Sequence, residues 1–328
     1  MKLAQLLVLM AACAGWQGEA LAQGWPGHSG RLDVYGKSFV PLADWAGKNN
    51  FSIRWLSPGN TVQLANRETR ITISRDTREA ELNGVDVCLS YPMVVRNGAG
   101  YISQVDLETA IGPILFPAKN PRGAIVRNIV IDPGHGGKDP GEQDGSHKEK
   151  TYTLLLGQEL RDELIHAGFN ASLTRTADTF VPLPERPEIA RRRNADLFIS
   201  LHWNTLPGNR SVQGAQTFCL TPAGASSSNA GGSLFGADGS MGNRNNAKNM
   251  LLAYCLQKSL LHMPGVEDRG VRRARYWVLR EAMMPAVLIE GGFMSNPAES
   301  KRIYDPAYRR QMARAIVDGI IAYKRAVE

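Results

Sequence analysis

Four residues in the second half of the chain have the types that metal-assisted hydrolysis needs, each inside a short signature. His135 lies in IVIDPGHGG, Glu149 in SHKEKTYTL, His202 in LFISLHWN and Glu290 in AVLIEGGF. Two imidazoles and a carboxylate are the ligand set of an open zinc site, which leaves a fourth position for water. A further carboxylate is what such a site uses to move protons. Taken singly, a strand-end histidine is an ordinary hydrogen-bonded side chain and a glutamate beside two glycines caps a turn. Together the four point to a zinc hydrolase. His147, two residues before Glu149, competes as a ligand.

The elements that must position these residues are legible around them. Residues 129–132 (IVID), 197–201 (LFISL) and 286–289 (AVLI) are short apolar runs that stop at or just before a polar residue. Runs of this length and composition fit strands buried on both faces of a sheet covered by helices. Ligands of open α/β sheets bind at the carboxyl ends of the strands, so residues from three strand ends converge there. Glu149 instead opens a helical stretch, Lys150–Ala167. Further helices are predicted over 184–195, Asn246–His262 and Pro306–Ala326, with strands over 169–174, Ala215–Leu220 and YWVLR (276–280). The expected fold class is α/β, a mostly parallel sheet with helices on both faces. Pro222–Asn245 is rich in Gly, Ser and Asn without apolar periodicity and reads as a mobile loop.

From about Asn128 to Val327 the chain resembles the zinc-dependent N-acetylmuramoyl-L-alanine amidases of bacterial cell walls. The resemblance rests on five blocks in order: IVIDPGHGGKDPG, KEKTYTLLLGQEL, LTRTADTFVPLPERPEIA, LFISLHWN and RGVRRARYWVLREAMMPAVLIEGGFMSNPAE. It implies one Zn2+ held by His135, Glu149 and His202, with Glu290 as the catalytic carboxylate. Asn204 and Arg280 are candidate substrate-binding residues. Arg175, Asp178 and Arg186 read as an ion-pair brace for the loop. Two departures stand out: Trp203 follows the second histidine where a small residue is usual, and GEQDG replaces a shorter loop. Trp203 is expected to reshape the groove beside the metal. Some members of the family plug the site with a helix in the 222–245 region; this composition supports none.

The first half is of another kind. FSIRWL, TVQLAN, RITIS and EAELNGVDVCL read as short strands, and PLADWAGKNN and QVDLETAIGPI as helices. They form a small α+β module, residues 23–118, resembling the copper amine oxidase N-terminal-like domain found ahead of wall enzymes. The name does not imply metal binding, since the segment holds only His28 and no ligand cluster. Docking on the wall or on a partner is the expected role, with a purely structural role close behind. A linker over 119–127 separates it from the catalytic domain, 128–328.

Residues 1–22 read as an export signal: Lys2, an apolar stretch, then ALA before Gln23. The apolar stretch is too short for a permanent transmembrane anchor, and lipidation at Cys13 is the minority alternative. The expected location is the periplasm or cell envelope. Cys88, Cys219 and Cys255 remain after cleavage, an odd number, and read as core residues; a Cys219–Cys255 bridge is the one pairing considered. The net charge of +7 draws an exported protein to anionic envelope polymers. Nucleic acid is not an expected partner: Arg191–Arg193 reads as a solvated helix face. Arg269, Arg272, Arg273 and Arg275 are placed ahead of a strand, lining the substrate groove. The resemblance makes peptidoglycan the substrate and the bond between N-acetylmuramic acid and L-alanine the one hydrolysed; control by an activator protein or by localisation is expected. The rival readings are a zinc peptidase acting on stem peptides and a non-catalytic wall-binding protein.

Overall fold

The computed structural model describes residues 30–34, 36–228 and 239–328. The export signal, Cys13, His28 and the middle of the 222–245 segment lie outside the described residues.

Eleven strands form one sheet. In its catalytic half, Asn170–Leu173, Asn128–Pro133, Leu197–Asn204 and Ala286–Phe293 are neighbours in that order and all parallel. Ala215–Leu220 then runs antiparallel to Ala286–Phe293, and Asp268–Ala274 is parallel to Ala215–Leu220. The three strands singled out from their apolar runs are thus adjacent at the centre, buried as their unbroken Ile, Val and Leu content requires.

The two faces of this sheet are covered unequally. Helices Glu149–His166, Asn246–Leu260 and Pro306–Val327 pack on one face, and the long core runs beneath them. The final helix presents Tyr308, Met312, Ala315, Ile316, Ile320 and Tyr323 to that core. A smaller cluster, including Val130, Phe198, Phe218 and Leu288, lies beneath the other face. There the cover is short: Glu185–Arg192 and Trp277–Arg280. No helix among the described residues is long and apolar enough to cross a membrane.

The front module continues the same sheet. Val85–Cys88 pairs in parallel with Asp268–Ala274, and Glu79–Leu82, Arg70–Ser74, Thr61–Ala65 and Ser52–Ser57 follow as an antiparallel meander. Asn83 and Gly84, both with positive φ (49° and 80°), make the two-residue turn that this tight hairpin needs. A second, four-stranded sheet (Leu32–Val34, Lys37–Pro41, Ala99–Ser103, Val94–Arg96) completes the module. Residues of both halves share one core: Val62, Leu64 and Ile71 lie in the same cluster as Leu252 and Leu256. The segment read as a linker is tied down. Asn120 donates its backbone N–H to the Val327 carbonyl, and the Val126 N–H goes to the Glu328 carboxylate.

Two expectations change. YWVLR is not a strand: Trp277–Arg280 is a single helical turn, and the arginine-bearing Asp268–Ala274 is the strand instead. Aromatic and β-branched residues suggested a strand, but the chain must turn here to enter Ala286–Phe293. The described ends of the 222–245 segment are not loose. Ala225, Ser226 and Ser227 are buried, and Met241–Asn245 forms a 3-10 turn opened by a reciprocal Ser240–Asn243 capping box. Cys88, Cys219 and Cys255 are all free thiols, so Cys219 and Cys255 are not bridged.

Candidate metal centre

Pairing register brings the site together. His202 and Glu290 are directly opposite each other on neighbouring parallel strands, and Pro133 pairs with Leu201, which sets the loop carrying His135 beside them. Glu149 enters as the first residue of its helix. The ligand atoms of His135, Glu149 and His202 lie within 4.8 Å of one another, the one such group among the described residues. Glu149 bridges the two rings, with Oε2 2.9 Å from His135 Nε2 and Oε1 2.9 Å from His202 Nδ1. Its carboxylate also accepts the backbone N–H groups of Trp203 and Glu142.

The backbone is shaped around these side chains. His135 adopts φ 61°, a left-handed conformation uncommon outside glycine, which turns its ring into the site. A Cβ on Gly134 would clash with the His202 ring at 2.3 Å, and one on Gly141 would collide with Glu149 and His135. The donor set, its mutual approach and this glycine cradle fit a small tetrahedral cation.

A surrounding layer fixes the ligands. His135 Nδ1 lies 2.9 Å from Asp139 Oδ2, so the ring presents Nε2 to the site. Sequence reasoning did not single out Asp139, although its position four residues after His135 in GHGGKD was available. Asp132 and Arg186 form a buried ion pair at 2.8 Å, and Arg186 also donates to the Pro133 and His135 carbonyls. Arg175 donates to the carbonyls of Pro133, Gly134 and Lys150, joining the His135 loop to the Glu149 helix. Burial and the nearby Arg186 charge push the Arg175 guanidinium down to about 10. Asp178 takes the Gly137 N–H and pairs with Lys150. All three residues brace the loop.

Electrostatics separates the carboxylates. Burial alone would raise Glu149, but hydrogen bonds and charge from His135 and His202 outweigh it and hold it ionised well below the ordinary range. Burial likewise opposes charge on His135, yet Glu149 and Asp139 raise it above its ordinary value. Glu290 behaves oppositely: burial and then the negative charges of Glu149 and Glu142 raise it well above the ordinary carboxyl range. Its Oε2 is enclosed and has no hydrogen-bond partner. A carboxyl group that gains a proton easily and has a free oxygen beside a metal site is equipped to accept and return a proton.

These residues line a cavity of about 770 Å³ on the thinly covered face. Asn204 lies on its wall, and its Oδ1 accepts the Thr205 N–H. Arg280 lies beside the cavity but stacks on Trp277 and donates to Ser240 Oγ. His147 does not join the ligand group: it stacks on Tyr304 and its Nδ1 meets the Tyr152 hydroxyl. Trp203 borders the cavity, but strand alternation sends its buried indole toward the opposite core, against Gly291. GEQDG becomes part of a short hairpin, Gln143–Asp144 with His147–Lys148, that positions the Glu142 N–H. None of Arg269, Arg272, Arg273 and Arg275 lines the cavity. Arg273 is buried and donates to the Thr109 carbonyl of the front module, while Arg275 holds the Pro222 and Ala225 carbonyls.

Comparison with known proteins agrees with this geometry. Residues 129–322 match the N-acetylmuramoyl-L-alanine amidase family model, and residues 32–115 match the copper amine oxidase N-terminal domain. N-acetylmuramoyl-L-alanine amidase AmiA of Escherichia coli is 34% identical over 241 residues, which is 66% of this chain and 82% of that protein. Among solved structures, the amidase AmiC2 of Nostoc punctiforme is 33% identical with a TM-score of 0.52, covering 62% of this chain and 99% of that one. The CwlD amidase of Clostridioides difficile, solved in complex with the GerS lipoprotein, is 28% identical with a TM-score of 0.50 over 60% of this chain and 98% of that one. A strand-end site built on this sheet, carried by a match that spans most of the chain, places the protein in the N-acetylmuramoyl-L-alanine amidase family.

Proposed function

We propose that this protein hydrolyses the amide bond between N-acetylmuramic acid and L-alanine in peptidoglycan, with zinc held by His135, Glu149 and His202. The single observation that carries the metal reading is the approach of those three ligand atoms within 4.8 Å. When bound, zinc supplies Lewis acidity toward the scissile carbonyl and a nucleophilic water at neutral pH. Glu290 takes the proton of the attacking water and returns it to the departing amine of L-alanine. Its enclosed, unpartnered Oε2 suits it to hold that proton between the two steps. Glu149 has its lone pairs committed as a ligand and does not act as the base. Asp139 holds the His135 ring, and Arg175 and Arg186 keep the loop from relaxing.

Export to the cell envelope follows from the leader-like first 22 residues and from where the substrate lies. Because unrestrained wall cleavage is lethal, control by a partner protein belongs to the same proposal. The test is digestion of purified peptidoglycan by the mature protein and by Glu290→Gln, with and without chelator, read by mass spectrometry. Intact stem peptides with a free L-alanine amine are expected, dependent on metal and on Glu290. Shortened stems would instead make it a peptidase, and wall binding without any product in the presence of metal, even when a cell-envelope extract is added to supply the partner, would remove the catalytic reading.

A further inference from the structure

Ten large apolar side chains are more than a third exposed in the described residues, and three of them, Phe180, Leu183 and Trp277, line the one cavity that holds the metal centre. Exposed apolar surface gathered at a site marks something that is covered when the site is filled. Phe180 and Leu183 follow Asp178 on the loop that embraces His135, and Trp277 opens the helical turn Trp277–Arg280 that lines the same cavity. Lys138, on the His135 loop, adds a charge to the same cavity. Its Nζ lies 4.6 Å from the centre of the Phe180 ring, whereas the neighbouring Lys150 is taken up by Asp178 and the Gly137 carbonyl. Among the described residues no carboxylate pairs with Lys138. A cation resting on an aromatic face is only lightly satisfied and remains able to take an anion.

We propose that the peptide stem of the substrate lies between Trp277 and the Phe180–Leu183 wall, with Lys138 meeting a free carboxylate of the stem. This rests on the amidase reading above and deepens it: the apolar walls take the aliphatic parts of the stem, and Lys138 selects stems with a free carboxyl over amidated ones. An exposed lysine contributes modestly to such selection, about three- to fivefold. Loss of an apolar wall residue costs about tenfold or more.

Soluble muramyl peptides that differ only in whether the stem carboxyls are free or amidated provide the probe. Turnover is followed with wild type, Lys138→Gln, Phe180→Ala, Leu183→Ala and Trp277→Ala, with bound zinc and melting temperature measured for each. Calorimetric binding of both peptides to Glu290→Gln, alone and combined with Lys138→Gln, reads the groove without turnover. The wild type should favour the free stem through KM, Lys138→Gln should abolish that preference, and the wall variants should raise KM for both peptides at unchanged zinc content. Discrimination that survives Lys138→Gln, or wall variants with wild-type KM and wild-type binding, would overturn the proposal. Selective binding without release of an L-alanine amine would leave the groove assignment standing and remove the amidase reading, which separates the two failures.

Discussion

At the residue scale, the division of labour among the carboxylates comes from surroundings and not from residue type. Glu149 and Glu290 are both glutamates that line the same cavity as the two imidazoles. One is held ionised by two histidines and two backbone N–H groups, and the other is enclosed with an oxygen unpartnered. Asp139 is the subtler member, and replacing it with alanine should lower zinc affinity about 10- to 100-fold while leaving the fold intact. Titration with a competing chelator checks this. On the proposed zinc reading, the pH dependence of metal binding follows from His135, whose raised value means that below it a proton occupies the nitrogen a metal would need. Affinity should therefore rise with pH through a point above 6.5, the ordinary histidine value, and the Asp139→Ala variant should shift that point downward. His135, His202 and Glu290 were legible because each ends an apolar run. Asp139 was not, since its contact depends on a left-handed turn at His135 that no periodicity records.

The elements show where sequence patterns suffice and where they fail. Central strands and long helices were readable from β-branched runs and helical spacing, and their neighbours in the sheet follow from parallel connectivity. The short turn Trp277–Arg280 was not, because a run such as Trp277, Val278 and Leu279 looks alike in a strand and in one helical turn. The bracing arginines lie between these cases: their block was visible, but burial of Arg186 at 2% exposure beside Asp132 was not. Removing one partner of a buried pair leaves an uncompensated charge, so Arg186→Ala should cost about 3–5 kcal/mol. Chemical denaturation measures it. The double change with Asp132→Asn should recover part of the loss, and a merely exposed pair would give less than about 1 kcal/mol.

For the whole molecule, the front module and catalytic half share a sheet, a core and several polar ties. Tyr254 donates to the Leu82 carbonyl, and Arg78 reaches the carbonyls of Ser226 and Ser227 at the base of the long insertion. Composition drew a boundary at residues 119–127 because Asn120, Pro121 and Gly123 stand there among Lys119, Arg122 and Arg127. Pairing between strands nearly two hundred residues apart leaves no local trace. Deletion of residues 30–118 would uncover the Asp268–Ala274 edge and strip Arg273 of its Thr109 partner. The truncated chain should be recovered mostly insoluble or melt far below the intact protein, which should itself unfold in one transition by calorimetry. A shortened chain with the parent's melting temperature would count against this coupling.

The unequal cover on the two faces of the sheet has a consequence for the geometry of attack. Three long helices close one side, while the metal centre opens through the side roofed only by short turns. A cross-linked wall is a net, and most of its strands offer no loose end to thread into a tunnel. A centre at strand ends that opens on the thinly covered side can settle onto a mesh from above and sever a strut in place.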